Sequence, residues 1–265
     1  MMSGISLPVY YVDAFTNQQF RGNPAAIVLL EEWLADEKLM AIAAEINLSE
    51  TAFLVDDHIR WFTPNQEVKL CGHATLACAF VLHQFKQLPI TPFTFQSLSG
   101  ELTVYRDQHG FTLDFPHLET EQVAVSDYPQ LAEILGVEIA SLWLAKDRYI
   151  CFLNDATQVA NCQPDFLAMA KLPLAGLTIT AASDEKNADF VSRYFAPAKG
   201  VDEDPVTGTS HCAIAPLWAK QLNKTQLIGN QISARGGMMR CSIEGERVKL
   251  TGEATLFLTG YIHLT

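Results

Sequence analysis

The sequence lacks the short motifs that announce the commonest chemistries. It has no CxxC pair, no HxxxH and no Cys/His cluster, which argues against thiol-redox and zinc-type sites and leaves no metal expected. It has no GxGxxG and no GxxxxGKS, so no dinucleotide or phosphate-binding loop is expected. It has no GxSxG, the elbow that exposes a hydrolase serine. Basic residues are scarce, 18 Lys and Arg against 30 Asp and Glu. The net charge of −12 argues against nucleic acid or an anionic membrane surface as partner. No apolar run reaches the ~18 residues that a membrane span needs.

The six cysteines (71, 78, 151, 162, 212 and 241) show no small-scaffold spacing, so packing roles in a reducing compartment are expected. The opening MMSGISLPVYYVDAF has neither a basic start nor a long apolar core and reads as no signal peptide. The expected location is therefore cytoplasmic.

What is present is an altered repeat. Residues 60–77 read RWFTPNQEVKLCGHATLA, and residues 193–219 read RYFAPAKGVDEDPVTGTSHCAIAPLWA. Both begin Arg-aromatic-Phe-Xaa-Pro, cross a polar loop to a glycine (Gly72, Gly208) and enter an apolar segment. The aromatic runs read as strand ends stopped by Pro64 and Pro197. The segments after the glycines, His73 to Phe85 and Ser210 to Leu222, read as helices with almost no polar face, which marks them as buried. Two copies are too few for a solenoid and predict a pseudo-twofold pair of domains with a cleft between. A helix start offers free N–H groups and a positive dipole end, so two of them facing one cleft predict a site for a small carboxylate.

The remaining pattern is rich in strands. Val9–Phe15, Ala26–Leu30 and Thr51–Val55 read as strands, with a helix over Asp36–Glu45 that Asp36 caps and Asn47 ends. Alternating runs at 92–96, 100–106 and 110–115 read as antiparallel strands. The stretch 116–127 reads as a linker. It divides a first domain, 1–118, from a second, 119–254, with the last strand, 255–265, able to return to the first. At 265 residues and 49% hydrophobic content, two globular domains of roughly 120 residues are affordable in core.

Several side chains are candidates for chemistry. Glu50 sits just before an apolar strand, where a carboxylate is costly unless solvated, paired or functional. It reads either as an edge residue bonded to backbone or as an acid/base. His73, next to Gly72, is a packing histidine or a site residue. Asp202 and Glu203 read as a solvated loop, while Asp204, restricted by Pro205, closely precedes the second helix. Thr207 and Thr209 are N-cap candidates whose hydroxyls also suit a ligand. Cys71 is a small buried residue or an activated thiolate. The matching position in the second copy is Thr207, so a two-thiol racemase is disfavoured. Arg235, before Gly236-Gly237, is a weak candidate for a carboxylate contact.

In order along the chain, GNPAA (22–26), NLSET (47–51), RWFTPNQEV with CGHAT (60–75) and GVDEDPVTGTSH (200–211) resemble the PhzF-like family of phenazine biosynthesis. The QISARGG turn (231–237) fits as well, and the likeness spans nearly the whole chain. The resemblance implies an α+β fold of two pseudo-symmetric domains, each a mostly antiparallel β-roll or barrel around a central helix, like diaminopimelate epimerase. It implies a homodimeric isomerase that uses no cofactor and acts on a small, cyclic carboxylic acid, in the phenazine enzyme a dihydro-hydroxyanthranilate. It places the acid/base at Glu50, and substrate binding at Ser49, Gly72, His73, Asp204, Gly208 and Thr209. Thr209 stands where the family has serine, which keeps the hydroxyl and adds a methyl. A non-catalytic small-acid binder and an amino-acid racemase are the alternatives.

Overall fold

The computed structural model describes residues 5–86 and 92–265. The chain divides into two compact units. One runs to Asp114 and takes in Thr251–Thr265, and the other is Phe115–Leu250. The first four residues of the opening stretch lie outside the described residues.

The first unit is built of β1 (Ile5–Ala14), β2 (Asn23–Leu30), α1 (Asp36–Ile46), β3 (Glu50–Val55), β4 (His58–Phe62), β5 (Glu67–Val68), α2 (Gly72–Lys86), β6 (Phe93–Ser97), β7 (Gly100–Asp107) and β8 (Gly110–Pro116). The second holds β9 (Thr120–Val123), α3 (Pro129–Leu135), β10 (Ser141–Ala145), β11 (Arg148–Phe152), α4 (Ala156–Asn161), α5 (Phe166–Met169), β12 (Gly176–Ala182), β13 (Phe190–Ala196), β14 (Val201–Asp204), α6 (Gly208–Leu222), β15 (Gln226–Gln231), β16 (Gly237–Glu244) and β17 (Arg247–Gly252). The last strand, β18 (Ala254–Leu264), pairs antiparallel with β1 along its length.

Each unit pairs its strands by the same plan. In the first, β1 and β2 are antiparallel, α1 carries the chain over to β3 in parallel with β2, β4 returns antiparallel and β6 runs parallel to β4. In the second, β10 and β11 are antiparallel, α4 and α5 carry the chain to β12 in parallel with β11, β13 returns antiparallel and β15 runs parallel to β13. A parallel neighbour needs a crossover, which explains why helices fall at these two places.

The central helix of each unit lies where the sequence places it. α2 is buried from Gly72 to Ala79 and at Val81, and it packs on β1, β2 and β3. α6 is buried from Ser210 to Ala215 and at Trp218, and it packs on β15 and β16. Burying an aliphatic side chain such as Leu76 or Ile214 stabilises by about 1.5–3 kcal/mol. α1 covers the other face of its sheet, where Leu39, Ile42 and Ala43 pack with Phe53 and Phe62. In the second unit α3, α4 and α5 do the same over Leu142, Leu177, Ile179 and Phe195.

Four local expectations change. Residues 120–123, read within a linker, form β9 and pair antiparallel with β10. Helix α4, unread in the sequence, is set by Asp155, whose carboxylate accepts from the Gln158 N–H as an N-cap. Asp36 is not a cap, because it is already in the helix and accepts from Arg60 at 2.9 Å. Glu203 is no solvated loop residue: it lies on β14 and is held by Arg193.

Candidate active site

Glu50 is the first residue of β3, paired in register with Ala25 of β2. The chain arrives there through Asn47, whose left-handed φ of 55° ends α1 and turns the backbone into the strand. Side chains alternate along a strand, so Glu50 shares the face of Ala52 and Leu54, opposite to Phe53 and α1. That is the face α2 covers. At the start of α2, His73 brings Nε2 to 3.5 Å from Glu50 Oε2, and Cys71 Sγ lies 3.5 Å from His73 Nδ1. The first N–H groups of α2 have no acceptor within the helix, and they give this end a partial positive charge. Thr75 ties the entry down, donating its hydroxyl to the Cys71 carbonyl at 2.6 Å.

This setting acts on the Glu50 carboxyl. The side chain keeps 22% of its exposure, yet desolvation dominates and pushes its pKa up, with the neighbouring Ser49 and Cys71 side chains partly offsetting that. The Ser49 hydroxyl is buried beside that carboxyl. The result is a carboxyl that holds its proton more tightly than usual, beside a histidine, a thiol and a helix start.

The second unit carries a different cluster. Asp204 ends β14, and its Oδ2 accepts a short hydrogen bond from Thr207 Oγ1. Gln231 Nε2 donates to the Asp204 carbonyl at 2.7 Å, and Gln231 Oε1 accepts from the Thr207 N–H at 2.9 Å. Thr207 is the N-cap residue of α6, but its hydroxyl is spent on Asp204 rather than on the helix. His211, fully buried on α6, donates through Nδ1 to the Thr207 carbonyl at 2.9 Å, and burial pushes its pKa down to about 4. Gly208 opens α6. Thr209 Oγ1 accepts from Arg148 Nη1 and Nη2, both at 3.3 Å. Arg148 is 3% exposed, held by Asp147 at 2.8 Å, and stacked over Tyr194. Arg148 lies in no motif; His211 and Gln231 lie within the GVDEDPVTGTSH and QISARGG stretches, but neither is among the candidates the sequence singles out.

The pairing registers make the two units comparable residue by residue. Phe62 pairs with Glu67 and Thr51; Phe195 pairs with Glu203 and Leu177. Glu50, one residue before Thr51, therefore matches Gly176, one before Leu177. Ala25 pairs with Glu50 and Arg148 with Gly176, so Arg148 takes the place of Ala25. Counting back from Gly72 and Gly208, Cys71 matches Thr207 and Val68 matches Asp204. Counting forward, His73 matches Thr209. Where the first unit has a carboxylate beside a histidine, the second has a glycine, an arginine and a threonine.

Of the residues expected to form a site, Ser49, Glu50, Gly72 and His73 lie together in the first unit. Asp204, Gly208 and Thr209 lie in the second, where Asp204 joins Thr207 and Thr209 joins Arg148. Arg235 follows β15 in the turn before β16. All six cysteines are free and buried. Among the described residues, no helix is long and apolar enough to cross a membrane.

Comparison with known proteins agrees with this architecture. The profile of the phenazine biosynthesis-like protein family matches residues 12–260. A Pseudomonas aeruginosa protein named as an uncharacterized isomerase is 46% identical over 98% of this chain and all of its own. The crystal structure of an Enterococcus faecalis phenazine biosynthesis protein of the PhzF family superposes with a TM-score of 0.94 at 42% identity, over 98% of this chain and 100% of that one. A predicted epimerase of Pseudomonas aeruginosa shares the fold alone, with a TM-score of 0.76 at 19% identity over 97% and 99% of the two chains. With its α+β architecture and its isomerase relatives, this chain belongs to the phenazine biosynthesis-like family and is an enzyme, an isomerase.

Proposed function

We propose that the protein moves a proton from one carbon to another on a small, cyclic carboxylic acid, with Glu50 as the one acid/base and no cofactor. The observation that carries this reading is the Glu50 carboxyl, desolvated and raised in pKa, held at 3.5 Å from His73 beside the start of α2. As carboxylate, Glu50 takes a proton from a carbon next to an unsaturated acid. The electron pair spreads into the unsaturated system. The helix-start N–H groups of Gly72 and His73 hydrogen-bond the developing negative charge. The buried Ser49 hydroxyl supplies a further bond to substrate. Protonated Glu50 then returns the proton to another carbon on the same face, and the carboxylate is regenerated. A pKa moved towards the working pH balances the two halves of this cycle. The family resemblance assigns Asp204, Gly208 and Thr209 to substrate binding, and we retain that assignment.

Two-base racemisation needs a second acid/base, and the matching register positions argue against one. Glu50 is matched by Gly176 and Cys71 by Thr207. The test is deuterium wash-in by mass spectrometry, wild type against Glu50→Gln, in D₂O with small cyclic unsaturated acids and amino acids. Label at carbon with wild type and none with the variant is the expected result. Undiminished label with Glu50→Gln would remove Glu50 from the mechanism. Tight binding of such an acid with no label from wild type would favour a binding protein.

A further inference from the structure

The Glu50, Cys71 and His73 side chains bring three different donor atoms to one place, and proton transfer uses only the carboxylate among them directly. A carboxylate oxygen, a thiol sulfur and an imidazole nitrogen lie within 4.8 Å of one another. The separations are informative. His73 Nε2 is 3.5 Å from Glu50 Oε2 and 3.9 Å from Cys71 Sγ. A tetrahedral Zn²⁺ with ordinary bond lengths of about 2.0–2.3 Å sets its nitrogen and oxygen ligands about 3.4 Å apart, and its nitrogen and sulfur ligands about 3.6 Å apart. The nitrogen–oxygen edge already has that length; the sulfur lies nearer Nδ1, at 3.5 Å, so one ion reaches Nε2 and Sγ together only when the His73 ring turns. The donor set is also the right one chemically: thiolate and imidazole select zinc over calcium or magnesium, which take oxygen ligands.

We propose that Glu50, Cys71 and His73 form a three-donor site for Zn²⁺, with the fourth position left to water or another small ligand. On binding, the Cys71 thiol gives its proton to solvent as the sulfur–zinc bond forms, and His73 and Glu50 each donate a lone pair. Resting on the proton-transfer reading above, one consequence follows. A carboxylate bound to Zn²⁺ does not take a proton from carbon, so the ion inhibits the enzyme. Zinc is here a reversible brake, not part of the reaction.

Cobalt(II) substitution tests this without any assumption about activity. Wild type titrated with Co²⁺ is expected to take one ion per chain, with a thiolate-to-cobalt charge-transfer band in the near ultraviolet that added Zn²⁺ abolishes by displacement. Cys71→Ser is expected to lose the band. His73→Ala and Glu50→Gln are each expected to weaken Zn²⁺ binding at least tenfold in competition with a chromophoric chelator. Glu50 is the least buried of the three, so its glutamine variant keeps the test meaningful if a buried substitution harms folding. No charge-transfer band in wild type, or zinc affinity in all three variants equal to that of wild type, overturns the site. If zinc binds as described and Glu50→Gln still exchanges protons at the wild-type rate, the metal site stands and the proton-transfer reading falls.

Discussion

At the entrance to its crossover strand the first unit carries Glu50, and in the same register the second carries Gly176. Around this difference, the two units share a frame. Arg60 grips Glu67 with two bonds of 2.7 and 2.8 Å and sits 5.0 Å over Phe62. Arg193 grips Glu203 with bonds of 2.7 and 2.9 Å and sits 5.0 Å over Phe195. The repeated motif is thus a fastening: a guanidinium on one strand clamps a glutamate on the next and fixes the loop that leads into the buried helix. The clamp is duplicated while the chemistry beside it is not. A Cβ at Gly176 would lie 2.5 Å from Tyr194 Oη and 3.1 Å from Arg148 Cβ. The space that holds a carboxylate in one unit is filled in the other by arginine and tyrosine. A repeat conserves what the fold needs twice, and the positions that diverge mark where the halves took separate tasks.

The largest effect should come from the unique side of the comparison. Glu50→Gln is expected to lower kcat by about 10²- to 10⁴-fold, the usual worth of a positioned acid/base, and wash-in rates measure it. A rate within a few-fold of wild type would make the asymmetry at Glu50 and Gly176 irrelevant to the reaction.

The shared clamp comes next, and its two copies should not weigh the same. Arg193 keeps 10% of its side-chain exposure, and its Nη1 also donates to the Val159 and Cys162 carbonyls at 3.2 and 2.6 Å. Arg193→Ala is expected to cost about 3–5 kcal/mol, because it leaves a glutamate and buried carbonyls without their partner. Arg60 is 22% exposed, with its second carboxylate, Asp36, out in solvent. Arg60→Ala is expected to cost about 1 kcal/mol. Urea unfolding of both variants measures the difference, and equal losses would show that burial does not separate the two clamps.

Filling the empty register position should cost less. Gly176→Ala is expected to destabilise by about 1–3 kcal/mol through overpacking against Tyr194 and Arg148, again read by urea unfolding. A neutral outcome would mean that Tyr194 moves aside freely, and that the second unit has room for the group it lacks.

The smallest effect is a stability change with pH. Burial raises the Glu50 pKa above the ordinary 4.5, so between the two values the native state binds more protons than the unfolded chain. Glu50 therefore costs stability progressively as pH climbs through that window, and the cost is full above it. Glu50→Gln should raise Tm by a few degrees at neutral pH and leave it unchanged well below pH 4. A melting curve series across pH tests the sign, and a variant less stable at neutral pH would contradict it.

Much of the fold was legible in the sequence because local pattern carried it. The apolar, glycine-led segments at 72 and 208 announce buried helices, and the Arg-aromatic-Phe-Xaa-Pro repeat announces a doubled unit. The short β9 was not legible, because Thr120–Val123 has little β pattern of its own and is a strand only through its pairing with β10. Glu203 was misread for a similar reason. Among three acids in a row nothing local distinguishes the one whose partner lies ten residues back on a neighbouring strand. Arg148 sits in no motif and Gln231 only opens the QISARGG turn, and their contacts with Thr209 and Thr207 span long stretches of chain.

By itself, then, the sequence determined the doubled α+β plan, the family and a short roster of polar residues, since hydrophobic period, turn residues and motif order are local properties. Only the tertiary structure decided which of those residues meet. It set Cys71 and His73 beside Glu50 and raised that carboxyl's pKa by burial. It also matched Glu50 to a glycine across the repeat. Proximity, desolvation and strand register arise from pairing residues distant in the chain, and no short window of sequence contains them.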